Sequence, residues 1–221
     1  MLSLLLKRGP SVDFKRISIL SIWTVHLFGV IGILFWDRSL FLSLTPLNLS
    51  LSFILLILNY KERTVGFWVS LLVAFFVGMV AEILGVNYGL IFGEYWYGGN
   101  LGTKILGVPL TIGINWAVLS FIFGSLASRY ISHKWMAAIV AAAGMVFLDF
   151  LIEPVAGMFD FWHWKDADIP LQNYIGWYCI ALPLQLLFQY YVPRKELLFS
   201  THLIIVQLIF FGIFNIVHAQ I

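Results

Sequence analysis

Residues 135–154 read WMAAIVAAAGMVFLDFLIEP. No charge occurs from 135 to 148, and the run up to Glu153 is 19 residues long. At about 1.5 Å per residue, a helix of that length crosses the roughly 30 Å hydrocarbon core of a bilayer. Asp149 and Glu153 break the pattern near one end. Their i,i+4 spacing puts both carboxyls on one face, a turn apart. Pro154 has no backbone donor and disfavours helix in the residue before it, so the helix is expected to end at Glu153. An acid at the centre of a lone membrane helix costs roughly 2.5–3.5 kcal/mol, and less toward its end.

The same apolar signature recurs outward from this stretch, at 17–36, 40–59, 65–84, 109–128, 135–153, 174–192 and 201–219. All seven are read as transmembrane helices, because lipid offers the backbone no other partner in a chain that is not a barrel. The run at 40–59 is the weakest, since Pro46 and Asn48 lie inside it. Composition agrees: 61% of the 221 residues are hydrophobic, 11% are charged and the mean hydropathy is +0.94. Ordinary globular domains are about 25% charged. The fold class expected is therefore all-α, a polytopic helical membrane bundle forming one domain over 1–221. Short loops leave no room for a Rossmann, P-loop or other soluble catalytic module. A net charge of +2 does not suggest nucleic acid, and the single Cys179 excludes a disulfide framework or thiolate cluster. The basic N-terminal segment and the run after it, without a small-residue cleavage site, read as a retained first helix.

Charge gives the orientation. With a cytoplasmic N-terminus, Lys7, Arg8, Lys15, Arg16, Lys61, Arg63, Arg129, Lys134, Arg194 and Lys195 fall on the cytoplasmic side. Only Arg38, Lys104 and Lys165 fall opposite, a strong positive-inside bias. Asp13, Glu62 and Glu196 accompany the bases, whereas the other eight acids gather at the far end. Glu82, Asp149 and Glu153 are the three inside helices, which directs attention to that end.

Three constellations there could carry chemistry. The first is the Asp149/Glu153 pair, either two helix-end residues facing headgroup water or a buried source of a neutral carboxylic acid. The second runs from Glu82 through Glu94, Tyr95, Trp96 and Tyr97 to Pro109, and holds seven of the 18 glycines. Gly85, Gly89 and Gly93 recur every four residues, as in close-packed membrane helices. An interfacial re-entrant segment is the plain reading; a site lined by Tyr, Trp, Glu and Asn is the functional one. The third is Trp162-His163-Trp164 followed by Asn173 and Trp177, where Trp is expected at a membrane boundary in any case and Asn173 could serve as a helix cap. Asn115, Trp116, Asn215, His218 and His26 place polar groups in apolar helices, more often for interhelical hydrogen bonds than for catalysis. The five histidines show none of the pairings of membrane di-iron enzymes, and no metal or cofactor is expected.

These residues resemble the integral-membrane carotenoid 1,2-hydratases, the CruF type, which include the bisanhydrobacterioruberin hydratases and are often labelled only carotenoid biosynthesis protein. The likeness rests on Glu82-x-x-Gly85, Gly93-x-Tyr95-x-Tyr97, Gly107-Val-Pro109, Asn115-Trp116, Asp149-x-x-x-Glu153-Pro154, Trp162-x-Trp164 and Pro170-x-x-Asn173-x-x-Gly176-Trp177. It covers about residues 65–192, and the first two spans add nothing to it. It implies a bacterial or archaeal cytoplasmic-membrane enzyme. Its substrate would be an acyclic carotenoid of the lycopene or γ-carotene type, its co-substrate water and its surroundings membrane lipid, with no cofactor.

The residues suit that chemistry. A trisubstituted alkene has no leaving group and no acidic hydrogen, so reaction starts with protonation at C2. A neutral carboxylic acid can supply the proton. The tertiary cation at C1 needs π faces or a carboxylate nearby, for which Tyr95, Tyr97, Trp116, Trp162, Trp164 and Trp177 are candidates. A second carboxylate then deprotonates the attacking water. Asp149, the deeper of the pair, is the expected acid, with Glu153 or Glu82 positioning water and Glu94, Asn115 and Asn173 among the substrate contacts. Two other readings stay open. A membrane lycopene cyclase-like enzyme would share the protonation, although Leu182-Pro183-Leu184-Gln185 lacks its acid pair; a non-enzymatic transporter or assembly protein would spread polar residues through the membrane depth.

Overall fold

The structure, a computed structural model, describes residues 12–166, 168–193 and 195–219; Lys7, Arg8 and Arg194 lie outside the described residues. Its helices are α1 Val12–Phe35, α2 Arg38–Ser43, α3 Thr45–Asn59, α4 Val65–Tyr88, α5 Leu110–Tyr130, α6 Lys134–Ala156, α7 Leu171–Tyr191 and α8 Leu198–His218. Four short strands accompany them: β1 Tyr95–Tyr97, β2 Lys104–Ile105, β3 Val108–Pro109 and β4 Trp162–Trp164. The chain is a helical bundle of membrane type. Five helices, α1, α4, α5, α6 and α8, are both long and apolar enough to cross a bilayer.

The other two expected spans depart from that pattern for local reasons. The run at 40–59 is broken into α2 and α3. Asp37 caps α2 by accepting from the Leu40 amide at 3.0 Å, and Pro46 sits in the first turn of α3, where its missing donor does no harm. The 15 residues of α3 then cover only about 22 Å. Helix α7 has the length, 21 residues, but carries Gln, Asn and an internal Pro183.

Two further expectations are corrected. Helix α6 does not end at Glu153 but continues through Pro154 to Ala156. A proline so close to a helix end removes one hydrogen bond, that of the Phe150 carbonyl, and the helix outlasts it. Nor do Gly85, Gly89 and Gly93 form one helical stripe. Gly89 ends α4 in the left-handed region at φ 65°, its amide bonded to the Gly85 carbonyl at 2.8 Å, and Gly93 turns the chain at φ 114°.

Helix α5 is the axis of the bundle: 78% of its apolar window is buried, against 22% for α1 at the periphery. It packs on α3, α4, α6, α7 and α8. The bases collect at one end, as the charge pattern predicts. There Lys15 Nζ meets Glu196 at 2.9 Å, Tyr60 Oη meets Ser125 Oγ at 2.8 Å, and Lys134 lies 4.5 Å over the Tyr190 ring. At the opposite end the connections α4–α5 and α6–α7 pair β1 with β4, antiparallel, in the register Tyr95↔Trp164, Trp96↔His163, Tyr97↔Trp162. Alternation along a strand sends Tyr95 and Tyr97 inward while Trp96 faces out, stacked on His163 with ring centroids 5.7 Å apart. Asp160 clasps this cover, accepting from the Gly99 amide at 2.6 Å and pairing with His163 Nε2 at 2.9 Å. Those two bonds hold its carboxyl below the usual range.

Candidate active site

Beneath the β1–β4 cover the three intramembrane acids converge. Glu82, Asp149 and Glu153 are 3%, 2% and 5% exposed, so the reading of the Asp149/Glu153 pair as helix-end residues facing headgroup water does not hold. Each is tied differently. Glu82 Oε2 accepts from the Tyr95 hydroxyl at 2.5 Å and the Tyr97 hydroxyl at 2.7 Å, and its Oε1 accepts from Trp116 Nε1 at 3.0 Å. Burial first, and then the neighbouring Glu82 carboxyl, push both phenols above their ordinary range, which keeps them donors. Glu153 Oε2 accepts from Trp162 Nε1 at 3.1 Å and Trp164 Nε1 at 2.8 Å. A single nitrogen, Asn173 Nδ2, reaches both Glu153 Oε1 and Asp149 Oδ2 at 2.9 Å. Asp149 has no other hydrogen-bond donor among the described residues.

Two carboxyls thus receive three donors each, and the third receives one that it shares. Preorganised donors favour the acceptor-only carboxylate form. Asp149 Oδ1 is left without a donor.

These groups enclose a cavity of about 30 Å³, walled also by Ile112, Asn115, Leu119, Ile152 and Trp177. That is room for one or two water molecules. Trp177 lies stacked on Trp116, centroids 4.1 Å apart and planes 16° off parallel. Gly78 makes room for that pair, since a Cβ there would come within 2.4 Å of the Trp116 ring. Ile112, Asn115, Ile152 and Trp162 belong at the same time to a second, larger cavity of about 360 Å³. Its other walls come mainly from α1, α2, α3 and α8, with Leu101, Leu148 and Phe161, and are largely apolar. Phe28, Leu44 and Leu47 line it yet are 58%, 42% and 66% exposed, so it opens between α1 and α3 on the apolar flank of the bundle.

Of the twelve site residues expected from sequence, eleven meet around the small cavity: ten line it, and Trp116 donates to Glu82. Glu94 lies apart, exposed and paired with Lys165. The sequence reading found no role for α1 or for the segment 40–59, although both wall the larger cavity. Asn215 donates to the Leu151 carbonyl at 2.7 Å, an interhelical bond of the expected kind.

The chain matches the carotenoid biosynthesis protein family over residues 41–221, which takes in α3 to α8 and every acid of the site. It belongs to that family. No curated protein and no solved structure matches it. As a carotenoid biosynthesis protein with an apolar cavity opening on its flank, it has carotenoid-type molecules as its field of action.

Proposed function

We propose that this carotenoid biosynthesis protein hydrates the terminal 1,2 double bond of an acyclic carotenoid end. The observation that carries the reading is the junction of the two cavities. A compartment the size of one or two waters, walled by three carboxyls, shares Ile112, Asn115, Ile152 and Trp162 with a larger apolar one. Water and hydrocarbon chain would meet at that boundary.

The carotenoid end enters from the lipid side between α1 and α3 and places C1 and C2 beside Asp149. The Asp149 carboxyl gives its proton to C2; the π pair becomes the new C–H bond and C1 is left a tertiary cation. The Trp116–Trp177 stack and the Asp149 carboxylate left by the transfer stabilise that charge. Water bonds to C1 through an oxygen lone pair, and the oxonium loses a proton to a carboxylate. Transfer of that proton back to Asp149 closes the cycle, so alkene and water become tertiary alcohol with nothing consumed. Asn115, which has no hydrogen-bond partner among the described residues, holds the water at the junction.

The test is expression in a bacterium that accumulates lycopene or γ-carotene, followed by mass analysis of the pigments. A product heavier by one water is expected. An isomer of unchanged mass with a shorter chromophore would mean that an internal alkene captures the cation, the cyclase outcome. Unchanged pigment would sink both.

A further inference from the structure

The end of the bundle away from the three acids holds two cations that the chain itself does not neutralise. Lys134 opens α6, and its Nζ lies 4.5 Å over the Tyr190 ring at the end of α7. Lys195, in the connection from α7 to α8, is half-buried, with Nζ 5.6 Å from the centre of the Phe188 ring. The two ammonium groups are close enough to repel: burial first, and then the Lys134 charge, hold Lys195 below the ordinary lysine range. The 23-residue α6 adds the positive end of its dipole at the same place, with no acid in its first turn. Its cap is a histidine, His133, which accepts from the Met136 amide at 3.4 Å.

Among the described residues neither lysine has a carboxylate within ion-pair distance. The acid next to Lys195 in sequence, Glu196, is already engaged. Its Oε1 takes Lys15 Nζ at 2.9 Å and its Oε2 takes the Ser200 amide at 3.0 Å. Ring faces offset only part of the cost of holding two cations and a helix N-terminus together. An anion between them offsets the rest. The surroundings restrict which anion that is. Trp135 and Tyr190 are 51% and 50% exposed, as aromatic side chains are at a membrane boundary. The outer face of α6 then continues with exposed Met136, Ile139 and Val140, a surface that suits acyl chains and offers a soluble ion nothing.

We propose that Lys134, Lys195 and the start of α6 bind the phosphate of an anionic phospholipid in the leaflet at the basic end of the bundle. The lipid ties the start of α6 to the end of α7, the two helices that carry Asp149, Glu153 and Asn173 further along. The site is independent of the reaction proposed above.

The experiment follows thermal unfolding of the full chain in detergent with phosphatidylglycerol, phosphatidylcholine or inorganic phosphate added. Phosphatidylglycerol should raise the midpoint by about 5 °C over phosphatidylcholine, and inorganic phosphate at equal concentration should not. Lys134→Gln and Lys195→Gln should each remove about half or more of that gain, while Lys134→Arg keeps it. Lys61→Gln, which removes an exposed base at the same end, should also keep it. Because Lys134 opposes both Lys195 and the helix dipole, Lys134→Gln should unfold no lower than the parent in phosphatidylcholine. A lower midpoint there would mean that the Tyr190 contact already satisfies Lys134, and would remove the premise. Should Lys195→Gln fail to accumulate, Lys134→Gln decides, since its side chain is exposed. Equal midpoints in the two lipids, or a gain that survives Lys134→Gln, overturns the site. So does an equal loss in Lys61→Gln, which would assign the gain to a general attraction of the basic end. A gain matched by inorganic phosphate overturns the lipid as the occupant.

Discussion

The two cavities of this bundle are built on opposite rules. The small one is crowded with polar groups, and nearly every one is matched: seven donor contacts serve three carboxyls. The large one is more than ten times the volume and nearly bare of polar groups, and two of its amide oxygens, on Asn48 and Gln207, are unmatched. A region that performs proton chemistry must fix its dipoles before the substrate arrives. A region that accommodates a chain needs only shape, and leaves its few polar contacts for the ligand to complete.

The contrast can be broken most sharply at Asp149. Asp149→Asn keeps the shape and the Asn173 contact but removes the proton, and should lower turnover by about 10³-fold with the protein still in the membrane. Pigment assays on membranes with matched protein levels would check this; activity within tenfold of the parent would remove Asp149 as the acid. Next, Tyr95→Phe and Tyr97→Phe each delete one donor to Glu82. Each should cost about 10- to 100-fold in kcat with little change in KM. The large cavity should answer differently. A Cβ at Gly29 would meet only Phe210, at 3.4 Å, so Gly29→Leu projects into the cavity. It should raise KM about tenfold and leave kcat within about twofold, the mark of lost ground-state binding; an equal fall in kcat would mean that the two regions are not separable.

The smallest effect belongs to the cover. Asp160 is held below its ordinary range, mainly by its bond to His163 and then by the Gly99 amide. A lowered folded-state value contributes stability above the unfolded carboxylate range, and that contribution is lost as pH falls through the folded value. Because the group is largely solvated, Asp160→Asn should cost below about 1 kcal/mol at pH 7. The difference from the parent should vanish at acid pH in thermal unfolding followed in detergent. A gap that persists at acid pH would assign the effect to the geometry of the bonds to Gly99 and His163, and not to the charge of Asp160.

The same contrast explains what could be read without coordinates. An acid inside an apolar run is conspicuous because lipid penalises it, so Glu82, Asp149 and Glu153 stand out singly. That they face one another was also legible in part, from the i,i+4 spacing and from their common end. Glu94 looked equivalent to its neighbours Tyr95 and Tyr97, but strand alternation, invisible in a three-residue stretch, sends it outward to Lys165. Likewise the clasp from Asp160 to Gly99 joins segments 61 residues apart, and no local pattern announces it. The large cavity was illegible for a deeper reason. Its walls are Leu, Ile, Val and Phe, which serve equally for packing against helices, facing lipid or lining a void. Only the relative placement of α1, α3 and α8 creates the space, and Gln207 drew no notice because one amide in a membrane helix ordinarily finds a partner.

The family match begins at residue 41, so α1, with His26, Phe28 and Gly29, forms one wall of the large cavity from outside the matched segment. On the proposed reading, one wall of the chain's seat thus lies on a segment that contributes nothing to the small cavity. A chimera that takes only its first helix from a relative acting on a different polyene would be a mould with one side recast. It should process a new chain at an unaltered reactive centre.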